Sequence, residues 1–378
     1  MEKEKLSANE IKIQNRQRIY QYIRENGQVS KQDLVVALQL SLPTVTQNLE
    51  YLTRRGLIDT SMKIRNTGGR NATAYTYVPN AKMAIGVYLS ANHISAVAVN
   101  LSGEAACKVK ERIVFNLEDD GYLRKLGEIV EQVKQMANVS EDNLLGVGIS
   151  VPGLISDDGE KVTYGLTLGF TGKRRAEIAK YIPYENKLVH DSYAAGYMES
   201  WIDHQVKNAF YISLSNSIGG SVIINNGIYE GDTQKGGEIG HMTVVPENGE
   251  ICYCGKCGCF DTVCRAGNLD QYTEGNLEEF FKILKDGDEG AILLWEKYLD
   301  DLSLAVHNVR ILFDGMVILG GYVGAYIDEY MEELNRRVDE RNPFGDKAKN
   351  YLRACRYKVE AAAAGAAIFY IDDFLQSV

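Results

Sequence analysis

No stretch of this chain approaches the roughly 18–20 consecutive apolar residues of a membrane-spanning helix, so no membrane partner is expected. A secretory leader is missing too, because Met1-Glu2-Lys3-Glu4-Lys5 is charged where a leader would be apolar. The seven cysteines are therefore expected in a reducing cytoplasm, where clustered thiols are more often metal ligands than disulfides. Nor is there an overall excess of basic charge. The net charge is −10, which taken whole argues against a nucleic-acid partner. What is present is an ordinary globular composition, 45% hydrophobic and 24% charged. Its 378 residues suffice for two or three domains at about 150 residues each.

The charge is unevenly spread. Residues 1–80 hold five Lys and seven Arg against seven acids, a net +5, which leaves −15 for the rest. A basic head on an acidic body is expected when one end approaches phosphates and the body does not. The head reads as three helices. Ile13, Ile19, Tyr20 and Ile23 form an apolar stripe ending at Gly27. Ser30 then caps a second helix with Asp33 three residues on, and Leu34, Val35 and Leu38 give its core face. Ser41 caps a third, with Pro43 in its first turn and Val45, Leu49 and Leu52 spaced for burial. That spacing turns Leu42, Thr44, Thr46 and Gln47 outward near the N-terminus, as a recognition helix requires to reach base edges in the major groove. After Gly56, Leu57-Ile58 begins a strand with a returning partner at Ala74–Val78, and between them lies a basic, glycine-rich tip carrying Arg65 and Arg70. Such a tip suits the DNA backbone or the minor groove. A plain three-helix bundle gives the same periodicity; the tip, the charge and the N-terminal position favour a winged helix-turn-helix. Its DNA-contacting candidates are Ser41, Leu42, Thr44, Thr46, Gln47, Arg65 and Arg70.

From about residue 84 the chain changes to glycine-rich β/α alternation. Strands are expected at Ala84–Leu89, Ile94–Val99, Leu144–Val151, Tyr211–Leu214 and Val317–Leu319, which suggests two α/β lobes around a cleft. Three runs then carry a specific likeness: Gly237-Glu238-Ile239-Gly240-His241, Cys252-Tyr253-Cys254-Gly255-Lys256-Cys257-Gly258-Cys259-Phe260-Asp261, and Gly148-Ile149-Ser150-Val151-Pro152-Gly153. With Ile318-Leu319-Gly320-Gly321, they resemble the ROK family of repressors and sugar kinases, and with the head included the resemblance covers nearly the whole chain. It implies an α/β two-lobed, actin- and hexokinase-like (ribonuclease H-like) body behind an N-terminal winged helix-turn-helix. The expected division is 1–80 for the head, 84–190 for the first lobe and 191–378 for the second, with the last helix packing back on the first lobe.

One His and three Cys make a common structural zinc set, closed to water and so not catalytic. The resemblance implies His241, Cys252, Cys254 and Cys259 as the ligands. Cys257 is an extra thiol that competes for the site or is a spare surface group, while Cys107, Cys264 and Cys355 read as buried small apolar residues. For sugar contacts, the resemblance implies His190, Asp191, Glu238, His241 and Asp261, with Asp191 matching the kinases' catalytic base. His190 replaces the usual Asn, and Asp261 is a methylene shorter than the usual Glu.

The phosphate loops depart furthest. Where the family carries Asp-x-Gly-Gly-Thr-Lys, this chain has Tyr88-Leu89-Ser90-Ala91-Asn92-His93, and the second loop reads Ser215-Asn216-Ser217 in place of Gly-Thr-Gly. Backbone cradling of phosphate needs those glycines, and loss of metal and phosphate contacts removes about a thousandfold or more in rate. No enzyme activity is therefore expected. The reading is a sugar-responsive transcriptional regulator, a repressor, whose partners are operator DNA, a sugar effector and further copies of itself. The alternatives are a sugar kinase with an appended head and a sugar-independent DNA-binding protein.

Overall fold

The computed structural model describes residues 7–64, 72–203, 205–358 and 360–378. In the head, α1 (Ala8–Asn26) starts in a reciprocal cap between Ser7 and Glu10 and stops at Gly27, whose φ of +72° a side chain would resist. After β1 (Gln28–Val29), α2 (Lys31–Leu38) begins in the Ser30–Asp33 capping box. α3 (Leu42–Arg54) begins with the Ser41 side chain accepting from Thr44 N–H, and buries Val45, Asn48, Leu49 and Leu52. β2 (Ile58–Asp59), β3 (Lys63–Ile64), β4 (Ala72–Thr73) and β5 (Tyr75–Tyr77) follow. The single expected hairpin is two short ladders. β3 pairs with β4, and β5 sits between β2 and β1 in a three-stranded sheet. Arg65 and Arg70 lie outside the described residues.

The body holds two five-stranded mixed sheets of the same topology. The first comprises β6 (Met83–Leu89), β7 (His93–Asn100), β8 (Ala105–Arg112), β9 (Leu144–Val151) and, after the small hairpin β10 (Leu154–Ile155) and β11 (Val162–Tyr164), β12 (Asn186–His190). Its order is β12-β9-β6-β7-β8, an antiparallel meander extended by two parallel strands. The connections are α4 (Asp120–Met136) and α5 (Arg175–Ile178). Helix α6 (Asp191–Ile202) then leads to the second sheet, β13 (Ala209–Leu214), β14 (Ile218–Ile224), β15 (Gly227–Tyr229), β16 (Met316–Gly320) and β17 (Leu352–Ala354). Its order, β15-β14-β13-β16-β17, repeats the first. Helices α7 (Phe260–Cys264), α8 (Gly267–Asp270), α9 (Leu277–Lys285), α10 (Glu289–Leu312), α11 (Gly321–Gly324) and α12 (Met331–Arg341) complete the second lobe.

α4 covers one face of the first sheet, and the last helix, α13 (Ala361–Ser377), covers the other. The run Ala361–Ala367 lets α13 lie directly on the strands. A Cβ at Gly86 would stand 1.7 Å from the Ala363 carbonyl oxygen, and one at Gly148 would stand 2.1 Å from that of Ala366. α6 packs on β13 and β14 and against α13, so this helix pair fills the space between the two sheets. The head shares this core: Ile19, Tyr20 and Ile23 of α1 belong to one buried cluster with Trp201 of α6 and Ile368 and Ile371 of α13. Among the described residues, no helix is long and apolar enough to cross a membrane.

Candidate functional site

His190 closes β12 and Asp191 opens α6, so the pair stands at a strand-to-helix turn at the sheet's edge, with the Pro152-Gly153 turn beside it. Glu238 and His241 arrive from the second lobe on a turn that Gly237 permits at φ +83°. Tyr193 steadies this turn by donating its hydroxyl to the Gly236 carbonyl at 2.9 Å. His190 Nε2 lies 3.6 Å from Asp191 Oδ1 and 3.8 Å from Glu238 Oε1, and His241 Nε2 lies 4.0 Å from Glu238 Oε2. The Asp191 side chain is only 15% exposed. Burial raises its carboxyl above the ordinary range, opposed by His190, by the Ser192 amide at 2.7 Å and by the Tyr88 hydroxyl at 3.4 Å. Four of the five sequence-selected polar residues therefore converge. Asp261 is 1% exposed and its Oδ1 accepts the Ile218 amide at 2.7 Å, while its carboxylate stays within electrostatic reach of His241. Its shorter side chain serves the backbone of β14.

His241 joins this pocket to the cysteine knuckle. Its Nδ1 faces Cys252 Sγ at 3.8 Å, and Cys254 Sγ stands 3.7 Å from Cys259 Sγ. The four ligand atoms all lie within 4.8 Å of one another. Tetrahedral zinc with bonds of about 2.3 Å to sulfur needs edges of about 3.8 Å, so the donor set and spacing fit such an ion. Burial pushes the Cys259 thiol up to about 12, while hydrogen bonds from the Lys256 amide and neighbouring sulfurs hold Cys254 below its ordinary value. A divalent cation at the centre would supply the charge that ionises all three thiols. The loop is fixed by short rungs, among them Cys252 N–H to the Lys256 carbonyl at 2.8 Å and Phe260 N–H to that of Met242 at 2.8 Å. Cys257 is exposed and stands outside the cluster. Cys264 and Cys355 are buried and Cys107 half-buried.

On the other side of Asp191 the interlobe cleft opens to about 760 Å³, lined by Tyr88, Ser215, Asn216 and Tyr322 among others. The turn where the family places its first phosphate loop is closed on itself. Ser90 N–H donates to the His93 carbonyl at 3.0 Å, and Ser90 Oγ accepts the His93 amide at 3.2 Å. Tyr88 and Tyr322 hydrogen-bond across the cleft. Gly219 and Gly220, which follow the Ser215-Asn216-Ser217 run, lie inside β14, where a Cβ at Gly219 would meet Ser192 Oγ at 2.0 Å.

In the head, Leu42 is 52% exposed, Gln47 is exposed, and Thr44 and Thr46 are half-buried. The Ser41 hydroxyl is engaged in capping, 2.8 Å from Thr44 Oγ1. Two site residues escaped the sequence reading. Tyr88 reads along the sequence only as a lost Asp, and Tyr253 only as the spacer between two cysteines.

The sequence profile of the ROK family matches residues 84–373, and that of a winged helix-turn-helix DNA-binding domain matches residues 14–59. The chain is 23% identical to a putative xylose repressor of Caldicellulosiruptor sp. over 97% of both chains. It is 24% identical to the DNA-binding transcriptional dual regulator NagC of Escherichia coli, over 69% of this chain and 64% of that one. Among solved structures, a ROK family transcriptional regulator homologous to the E. coli MLC protein superposes with a TM-score of 0.74 at 22% identity, covering 97% of each chain. A ROK family glucokinase from Streptomyces griseus, in complex with glucose and AMPPNP, superposes at 0.63 and 20% identity, covering 76% of this chain and 98% of that one.

Proposed function

This chain belongs to the ROK family, and on that premise we propose that it is a sugar-responsive transcriptional repressor that binds its sugar without phosphorylating it. The observation that carries the reading is Tyr88. It stands where the kinases keep an acid, and its hydroxyl faces the Asp191 carboxylate at 3.4 Å. Space and hydrogen-bonding capacity beside the would-be catalytic base are thus spent on a phenol, and the adjoining turn satisfies its own amide. The same chain carries a winged helix and has relatives named as xylose and N-acetylglucosamine repressors. His190, Asp191, Glu238 and His241 are assigned to the sugar hydroxyls, with Asp261 holding the β14 backbone.

His241, Cys252, Cys254 and Cys259 would hold a structural zinc ion, which supplies rigidity to the knuckle and fixes the imidazole facing the sugar. Exposed groups on α3 are assigned to base edges, and Arg65 and Arg70 to the DNA backbone or minor groove. Two heads are needed to span two half-sites about one helical turn apart, so the working form is a homo-oligomer. The setting is the cytoplasm, where operator DNA and reduced thiols coexist.

The test begins with the full-length protein and a thermal-shift panel of xylose, N-acetylglucosamine, glucose and their phosphates. One of these is expected to raise the melting temperature and weaken binding to the protein's own promoter DNA about 5–150-fold. A coupled ATP-consumption assay on the same panel should read background. Robust turnover that Asp191→Asn abolishes would overturn the reading in favour of a kinase. DNA binding indifferent to every sugar would leave the body as a dimerisation module.

A further inference from the structure

The pocket assigned to the sugar already has an occupant. The space left among Pro152, Gly153, His190, Asp191, Glu238 and Tyr253 is only about 30 Å³. That is the room of a water or two, far below the roughly 300 Å³ at which small-molecule pockets begin. The Tyr253 hydroxyl lies 3.3 Å from His241 Nε2, and its ring packs edge-on to the imidazole with centroids 5.1 Å apart. Thr167, which belongs to the first lobe, lines the same pocket and lies close enough to act on that hydroxyl. Tyr253 thus ties the second-lobe knuckle to the first lobe across the cleft mouth.

We propose that Tyr253 is a resident ligand mimic, its hydroxyl holding the place at His241 Nε2 that a sugar hydroxyl must take. This rests on the sugar-effector reading above. The His241 ring turns Nδ1 toward the sulfurs and Nε2 toward Tyr253 and Glu238. With Nδ1 turned to the knuckle, Nε2 is the ring nitrogen left to hydrogen-bond a hydroxyl. The Tyr253 phenol meets it now, and a sugar hydroxyl, which can donate and accept, would take the same place beside Glu238. Tyr253 is 37% exposed, so the ring has open solvent to swing into. The backbone turn is held by the Cys252–Lys256 and Gly255–Cys252 rungs, so the displacement is a rotation of the side chain alone. An effector must displace the phenol, and in doing so it breaks the Thr167 link between the lobes. Ligand entry and lobe release become one event, and the effector's apparent affinity carries the cost of opening.

The experiment is isothermal titration of full-length wild type, Tyr253→Phe, Tyr253→Ala and Thr167→Val with xylose, N-acetylglucosamine and glucose. Bound zinc is measured in each preparation, so that an intact knuckle is established independently of binding. If the open form is rare in the wild type, Kd,app is the intrinsic Kd divided by the open fraction, and removing the plug restores about tenfold in affinity. Tyr253→Ala is therefore expected to bind at least one of these sugars about tenfold more tightly, and Tyr253→Phe and Thr167→Val about threefold, all with full zinc. A zinc-loaded Tyr253→Ala that binds no more tightly than a sugar-binding wild type overturns the proposal and makes Tyr253 a wall or stacking platform. Should the alanine variant lose zinc, Thr167→Val decides, since it cuts the same link outside the knuckle. If neither wild type nor any variant binds a sugar of the panel, the effector reading falls, and the plug with it.

Discussion

Asp191 carries a carboxylate into a place where its ionised form is disfavoured. Burial raises its carboxyl above the ordinary value, and His190, Ser192 and Tyr88 recover only part of the loss. The sign of the consequence is definite. A native carboxyl held above its unfolded value subtracts stability at neutral pH, and that cost disappears as pH falls through the raised native value. Asp191→Asn is therefore expected to raise the melting temperature of the ligand-free protein at neutral pH, by about 1 °C if about 1 kcal/mol is recovered over a chain of this length. The gap should close as the buffer is made acid, because the wild-type carboxyl then protonates beside His190 and Glu238. The same variant should lose its sugar response, so scanning calorimetry and titration read opposite effects of one change. An asparagine variant less stable than wild type at neutral pH would show that the carboxylate is a net stabiliser. At this scale the family motifs marked four residues that converge here, and their acids and imidazoles suit the recognition of hydroxyls. Of Asp261 the sequence did not announce that one carboxylate oxygen accepts the Ile218 amide. It also missed Tyr253, whose contact with His241 joins residues twelve apart and leaves no periodic pattern along the chain.

The elements were readable in proportion to how locally they are determined. α2 and α3 declare themselves through caps at Ser30 and Ser41, and all three head helices through apolar spacing, all local physics. β1 is two residues long and exists because β5 pairs with it from nearly fifty residues away, so nothing in Gln28-Val29 announces it. β8 alternates exposed and half-buried residues at a sheet edge, with too few strong apolar positions to stand out. The knuckle is the opposite case, because its ligand spacing is its structure. Cys254→Ser removes a thiol that stands 3.7 Å from Cys259 and is expected to release the metal, read as zinc per chain falling from one toward zero. Cys257→Ser changes an exposed thiol outside the cluster and should keep full zinc. The reverse result would transfer the ligand role to Cys257. Gly258 is a stricter test of the same turn. It sits at φ +71°, and a Cβ there would lie 1.7 Å from the Val245 carbonyl oxygen. Gly258→Ala should therefore lose zinc although every ligand remains, with a backbone strain of about 1–3 kcal/mol.

At the scale of the whole molecule, the question is how a pocket beside Asp191 could reach a DNA-binding head. The core of the head runs on into that of the body, because Ile19, Tyr20 and Ile23 are buried in one cluster with Leu34, Leu49 and Leu52 on one side and Trp201, Ile368 and Ile371 on the other. No local sequence signal carries this; it follows only when the last helix returns to the first lobe. α6 begins at Asp191 and ends beside Trp201, a rigid rod of about 18 Å for its twelve residues. Arg24 of α1 lies over the Trp201 ring at 4.8 Å, and Gln17 donates to the Gln376 carbonyl at the end of α13. Along the rod α6 and α13 touch backbone to backbone, since a Cβ at Gly365 would stand 1.8 Å from the Ala194 carbonyl oxygen. Helices packed this closely shift together or not at all, so a lobe movement that tilts α6 is delivered to α1. Trp201→Ala removes the contact at the far end and leaves the pocket and α3 alone. It is expected to keep sugar affinity within about threefold and still bind operator, while the operator Kd ratio with and without sugar drops from about 5–150 toward one. Fluorescence anisotropy on the promoter fragment, with the sugar identified by thermal shift, reads all three quantities. A variant that keeps the full ratio would exclude the α6–head contact as the coupling element and move the search to the oligomer interface.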